Sequence, residues 1–247
     1  MNAKVWLVGA GPGDPELLTL KAVRALHEAD VVLIDDLVNP AVLEHCVAAR
    51  VITVGKRGGC RSTPQDFIHR LMLRYTRQGK CVVRLKGGDP CIFGRGGEEA
   101  MWLRERGVEV ELVNGITAGL AGATNCAVPL TLRGVSRGVT LVTAHTQDGS
   151  SLNWRALAEG GTTLVVYMGV AKLEEIRQQL LDGGMAADMP VAMIENASLP
   201  LQRECRSELW RLYEDAQAFA LKSPAILVIG HVAAPGQVAR LAQVASA

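Results

Sequence analysis

Short apolar runs alternate with helix-length amphipathic segments from the start of the chain: Lys4 to Val8, then Glu16 to Ala29, then Val31 to Ile34. Parallel strands need a crossover of this length between them, so the order predicts βαβ units and a mostly parallel sheet. Composition points the same way. Only 3 Phe, 4 Trp and 3 Tyr stand against 26 Gly in 247 residues. The core must therefore be built from Val, Leu, Ile and Ala between tight turns, an α/β composition more than a β-sandwich one. With 49% hydrophobic and 21% charged residues the whole chain is expected to fold.

Further strands are expected at Val51 to Val54, Cys81 to Leu85 and Val108 to Val113, then at Val139 to Thr143, Thr162 to Met168, Val191 to Glu195 and Ala225 to Gly230. Asp14 is placed to cap the first helix with Pro15 at its first position, and Thr63 with Asp66 forms a candidate capping box for the second. Later helices are expected at Leu173 to Leu181 and near Trp210 to Ala220. The Pro-, Gly- and Arg-rich stretch after Val128 interrupts the rhythm and reads as a linker. The expected organisation is an N-terminal lobe over 1–130, a linker over 131–138 and a C-terminal lobe over 139–247.

Several function classes are set aside by simple counts. With 26 Lys+Arg against 25 Asp+Glu the net charge is +1, and a dedicated nucleic-acid or anionic-membrane binder needs a clear basic excess. Val5 to Val8 is too short for a signal-peptide core, and no run reaches the roughly 18 apolar residues of a membrane span. The six cysteines, Cys46, Cys60, Cys81, Cys91, Cys126 and Cys205, show no metal-knuckle or redox spacing. They are expected to be reduced, mostly buried thiols of a cytoplasmic protein that uses no metal.

Two motifs concentrate special residues after strands. In Gly9-Ala10-Gly11-Pro12-Gly13-Asp14-Pro15 the glycines let backbone approach a ligand. A dinucleotide site is opposed by Asp14 at the third glycine position and by Pro12, which removes an amide that could meet phosphate. The second motif runs from Val83 to Glu99 and holds five glycines, three cations and three acids in 17 residues. A plain connector has no need of that density. Gly87 and Gly88 can expose backbone, Asp89 can accept hydrogen bonds, and Arg95 offers a planar fork suited to carboxylates.

In order and spacing these motifs resemble the tetrapyrrole methylase family. The likeness continues through Val54-Gly55-Lys56-Arg57, Gly115-Ile116-Thr117-Ala118, Pro129-Leu130-Thr131, Tyr167-Met168-Gly169, Glu195-Asn196-Ala197-Ser198 and Ser223-Pro224-Ala225-Ile226. It implies a class III methyltransferase of two α/β lobes, with S-adenosylmethionine in a cleft between them and S-adenosylhomocysteine as product. By the same resemblance the cofactor contacts fall on Pro12, Gly87, Gly88, Asp89, Ile92, Thr117 and Ala118, and from the second lobe on Met168, Ala197, Pro224, Ala225 and Ile226.

The implied reaction is methylation of uroporphyrinogen III at two ring carbons, C2 and C7, giving precorrin-2 by way of precorrin-1. Such an enzyme has to align carbon, methyl and sulfur, hold a polycarboxylate and dispose of a proton. Asp35 matches the family's proton acceptor and Lys56 its donor. Arg95, Glu98 and Arg133 match substrate-facing positions, Arg95 being better suited to electrostatics than to proton removal. The chain departs from the family pattern at Ile34, Asp36, Cys91, Leu132 and Ala144. A homodimer is implied as well. A methylase of a later corrinoid precursor, a non-catalytic tetrapyrrole-binding protein and a nicotinamide oxidoreductase are the other readings, the last separated by testing sulfonium against NAD binding. Lys56, Arg57, Arg84, Lys86, Arg95 and Arg133 are together expected to make a locally basic trough in a neutral protein.

Overall fold

The crossovers expected from the sequence assemble, in the computed structural model, a five-stranded parallel sheet from the first half of the chain. Residues 3–55, 63–145 and 151–236 are described. The chain divides into two compact units, 1–117 and 118–247. In the first, strands β1 (Val5–Gly9), β2 (Val31–Ile34), β3 (Arg50–Thr53), β4 (Val82–Lys86) and β5 (Val110–Val113) pair in the order β3-β2-β4-β1-β5. Every pairing is parallel.

Helices cover both faces of this sheet, which is why β1, β2 and β4 are buried along their whole length. Trp6, Val8, Val32, Val83 and Leu85 pack with Ala22, Ala25 and Leu26 of α1 (Leu20–Glu28). On the other face Leu7, Leu33 and Val82 pack with Ile68 and Met72 of α2 (Gln65–Arg77) and Leu103 of α3 (Gly96–Arg104). Burying each of the Val, Leu, Ile and Met side chains among them contributes about 1.5–3 kcal/mol.

Two expected helix starts are corrected. Asp14 does accept a hydrogen bond, from the Glu16 amide, but it caps a short 3-10 turn over Pro15–Leu17, and α1 begins later with Thr19 capping Ala22. Leu18 is extended, so the apolar spacing spans two pieces. The capping box at α2 does not form: Pro64 occupies the N-cap without a side-chain bond, and Asp66 pairs forward with Arg70. Thr63 instead donates to the Gly55 carbonyl at 3.4 Å.

The second unit carries α4 (Ala118–Asn125), β6 (Val139–Thr143), α5 (Trp154–Glu159), β7 (Thr163–Tyr167), α6 (Leu173–Asp182), β8 (Pro190–Glu195), β9 (Arg203–Glu208), α7 (Leu212–Phe219) and β10 (Ala225–Ile229). Its sheet runs β6-β7-β10-β8-β9, and only the β6–β7 pairing is parallel. The expectation of a mostly parallel sheet is thus corrected here. Strand β9 was not expected: Arg-Glu-Cys-Arg-Ser-Glu is polar, and as an edge strand it keeps most of its side chains in contact with solvent. Leu164, Val166, Ile176, Leu180, Met193, Leu209, Leu212 and Leu227 form this unit's core.

Segment 131–138 is a tight turn closed by a Leu132–Ser136 bridge and held on the second sheet. The buried Ser136 hydroxyl donates to the Gly138 carbonyl at 2.9 Å and accepts from the Thr163 amide at 3.2 Å. Of the five described cysteines only Cys81 is buried and Cys91 is exposed, which corrects the expectation of mostly buried thiols. Among the described residues no helix is long and apolar enough to cross a membrane.

Candidate active site

The carboxyl ends of β1, β2, β4 and β5 share one edge of the first sheet, and the sequence places its special residues there. The loops after β1 and β4 are stitched together: the Gly11 amide donates to the Gly88 carbonyl at 3.2 Å and the Gly88 amide to the Gly11 carbonyl at 2.7 Å. A Cβ on Gly9 would lie 2.6 Å from Gly88 O and from Gly115 Cα, so only glycine lets these backbones meet. Gly88 takes a φ of +68°, with the Thr117 backbone beside it. Pro12 follows directly on this junction, so Pro12, Gly87, Gly88 and Thr117 are brought to one place.

Asp89 is buried, and each of its carboxylate oxygens is engaged by the protein itself. Its Oδ1 accepts from the Cys91 amide at 2.8 Å and its Oδ2 from the Gly115 amide at 3.0 Å. The carboxylate thus shapes the loop, and the turn presents backbone at the strand end. Ile92 hangs from the same turn, its amide donating to the Asp89 carbonyl at 3.3 Å.

Asp35 stands just beyond β2, its side chain 28% exposed. Arg84 Nη2 donates to Asp35 Oδ1 at 2.6 Å. The rest of that guanidinium is caged: Nε faces Glu99 Oε1 at 3.3 Å, and Nη1 faces the carbonyls of Leu33 and Leu85, each at 3.4 Å. Glu99 Oε1 also accepts from Gln65 Nε2 at 2.7 Å and Lys86 Nζ at 3.2 Å. Oε2 lies 3.1 Å from Lys86 Nζ but has no aligned hydrogen-bond donor. The neighbouring Asp36 is exposed and lies against Gly55, so of the two adjacent carboxylates only Asp35 enters this network.

Arg84 and Lys86 face inward from the central strand, with α2 supplying Gln65 and α3 supplying Glu99. Burial pushes the Lys86 ammonium below its ordinary pKa, and the Arg84 charge adds to the effect. His69 of α2, 3.2 Å from Gln65 Nε2 and against the Trp102 ring, is likewise lowered, mainly by burial. Two cations are matched by the Glu99 and Asp35 carboxylates. Without them each buried charge would cost several kcal/mol.

Arg95 and Glu98 pair with each other. Arg95 caps α3 with a φ of +58°, and its Nη2 donates to Glu98 Oε2 at 2.7 Å. The bond from Arg95 lowers the Glu98 pKa, and the reciprocal bond raises that of Arg95. Arg133 is exposed in the 131–138 turn. Lys56 and Arg57 lie outside the described residues. The expected basic trough is therefore corrected on the described cations: Arg84 and Lys86 are buried and neutralised inside the unit, and Arg95 already has a carboxylate partner.

In the second unit β7 and β8 both run antiparallel to β10, so their ends lie at the edge where β10 begins. Met168, Ala197 and Pro224-Ala225-Ile226 all fall on that edge. Met168 takes a φ of +54° and is exposed, while Ala197 is buried between Asn196 and Ser198, with φ of +53° and +62°. Non-glycine residues held at positive φ cost of order 1–3 kcal/mol each and gather at functional sites. Helix α4, which Ala118 starts, packs here through glycine: the Gly119 amide donates to the Tyr167 hydroxyl at 3.0 Å, and Gly122 sits against Ile194 and Ala197.

The edge of the first unit thus offers half-buried glycine backbone, and that of the second, taken by itself, small apolar side chains and the exposed Met168. Each of these edges, on its own, has the apolar and backbone polar groups that suit an adenosyl or methionyl moiety. Among the described residues no three His, Cys, Asp or Glu side chains group to hold a metal ion. The sequence reading missed Glu99 and Gln65 as site residues. The signal was present in Val-Val-Arg-Leu-Lys, whose alternating cations on an otherwise apolar strand call for a buried counter-charge.

Residues 4–213 match the family of tetrapyrrole (corrin/porphyrin) methylases. Over 247 residues, all of both chains, the sequence is 82% identical to a uroporphyrinogen-III C-methyltransferase of Pseudomonas fluorescens. It is 75% identical over 232 residues to one of Pseudomonas aeruginosa, covering 94% of this chain and 95% of that one. The crystal structure of a uroporphyrin-III C-methyl transferase from Thermus thermophilus, complexed with S-adenyl homocysteine, is similar with a TM-score of 0.80 at 43% identity, covering 93% of this chain and 98% of the other.

Proposed function

The chain belongs to the tetrapyrrole (corrin/porphyrin) methylases, and from that membership we propose that it methylates uroporphyrinogen III from S-adenosylmethionine, at C2 and then C7, giving precorrin-2 by way of precorrin-1. What carries the reading is the end-to-end likeness to uroporphyrinogen-III C-methyltransferases, with no site motif falling outside it. A ring carbon of the macrocycle attacks the methyl group and the carbon–sulfur bond breaks. Its electron pair leaves with S-adenosylhomocysteine, and the macrocycle gives up a proton.

The sulfonium supplies an already activated methyl group. This chain's part is alignment, exclusion of water and acceptance of the proton. Gly87, Gly88, Thr117, Met168, Ala197 and Pro224 to Ile226 are assigned to the methyl donor, Asp35 to the proton, and Arg95, Glu98 and Arg133 to the substrate's carboxylates. Assembly as a homodimer belongs to the same reading and is tested by sedimentation.

Purified protein incubated with uroporphyrinogen III and methyl-labelled S-adenosylmethionine is expected to give a doubly labelled product. Absence of any methylated product overturns the proposal. Asp35→Asn should lose turnover while S-adenosylhomocysteine binding, measured by calorimetry, is retained. Full turnover would reassign the proton to another group.

A further inference from the structure

We infer that Arg84 and Glu99 are positioning residues for methyl transfer, holding the Asp35 carboxylate in its working orientation from inside the first unit. The inference rests on the reading of Asp35 as proton acceptor and extends it to two buried residues. Glu99 is 0% exposed, and Arg84 has a side-chain exposure of 3%. A group this deep does not meet a macrocyclic substrate, so any effect on the chemistry is transmitted through a neighbour. Among the described residues one hydrogen-bonded route joins this pair to Asp35: Glu99 Oε1 to Arg84 Nε at 3.3 Å, then Arg84 Nη2 to Asp35 Oδ1 at 2.6 Å.

Geometry gives this route its rigidity. The guanidinium is planar, and with Nε engaged by Glu99 and Nη1 by the Leu33 and Leu85 carbonyls its plane is set before Asp35 is considered. Nη2 then points out of the sheet edge in one direction and fixes one oxygen of Asp35. Among the described residues nothing else hydrogen-bonds that carboxylate, leaving Oδ2 as the oxygen available to a proton. A lysine at position 84 could reach one carboxylate but lacks the fork to orient both. Lys86 and Gln65 complete the anchor by holding Glu99 from the other side.

The test compares Arg84→Lys, Glu99→Gln and Asp35→Asn with the parent, reading kcat, KM for uroporphyrinogen III, S-adenosylhomocysteine binding and Tm. Arg84→Lys and Glu99→Gln are each expected to lower kcat by about 10²-fold, with KM and ligand binding held within about two-fold. Glu99→Asp, which keeps the charge, should recover part of kcat. Glu99→Gln unbalances a buried charge set, so the double variant Glu99→Gln with Lys86→Met, which removes one charge of each sign, is measured too. It should regain the parent's Tm, with ligand binding still unchanged, while kcat stays low. If kcat returns together with Tm, the role is charge balance alone and the inference is overturned. If both single variants keep the parent's kcat while Asp35→Asn loses it, the inference fails and the assignment of Asp35 stands. If Asp35→Asn itself turns over at the parent rate, the underlying assignment fails.

Discussion

Gly9, Gly88 and Gly115 meet backbone to backbone at the strand ends of the first unit, and the space between them is filled by main-chain atoms. An added Cβ at Gly115 would overlap the Gly88 carbonyl, and at Gly9 it would sit 2.6 Å from the same oxygen. Backbone cannot swing aside as a flexible side chain does. Gly9→Ala is therefore expected to cost about 1–3 kcal/mol or more. It should also weaken S-adenosylhomocysteine binding, because the Gly11–Gly88 stitch would be displaced. Urea denaturation and calorimetry on the same preparation check both effects, and parental values for both would show that the junction has slack. Gly97 and Gly134 have nothing within 4 Å of an added Cβ, so glycine content alone does not mark such positions.

At the scale of elements, α2 and α3 press a set of titratable groups onto the inner face of β4. His69 is the member whose ordinary pKa lies nearest neutrality. Burial lowers its pKa in the folded chain from the ordinary value of about 6.5. The folded state thus binds the proton less readily than the unfolded one. The stabilisation is complete above about pH 6.5 and is lost as pH falls through the lower folded value. The wild type should lose stability between about pH 7.5 and 5.5, above the window in which carboxylates titrate, and His69→Gln should flatten that slope. Denaturation midpoints at the two pH values measure it. An unchanged slope in the variant would assign the loss to other groups.

The elements also separate what local pattern reveals from what it hides. Strands β2 and β6 fall where their apolar runs predict, because a short β-branched run has few alternatives, whether it lies between Asp30 and Asp35 or starts after Gly138. Strand β9 escapes this logic, since its pairing with β8 comes from backbone and its side chains stay wet. The split before α1 was hidden too, because Leu17, Leu18 and Val23 keep helical spacing across a residue that is extended.

Across the whole molecule each unit has its own sheet and its own core, with β4 at the centre of one and β10 at the centre of the other. Central strands open only with their whole unit. Amides of Val83, Leu85, Leu227 and Val228 are expected to exchange slowest with deuterium, and those of the edge strands β3 and β9 much faster. Exchange followed by mass spectrometry would contradict this layout if β9 were as protected as β10. The net charge of +1 also looks different at this scale. Two of the cations near the site motifs hold the protein together from within, so counting charges along the chain overstates what a polycarboxylate can reach.

The sequence by itself determined the α/β class, the strand–helix order of the first unit, the glycine-rich turns and the family, because each is written in short-range spacing and in residue types that admit few backbone conformations. Tertiary structure alone decided that the second sheet is mostly antiparallel, that both Asp89 oxygens hold their own loop, and that Arg84 and Lys86 turn inward toward Glu99. These depend on which side chain meets which across helix and strand. A charge becomes a surface contact or a buried anchor only when residues distant in the chain close around it.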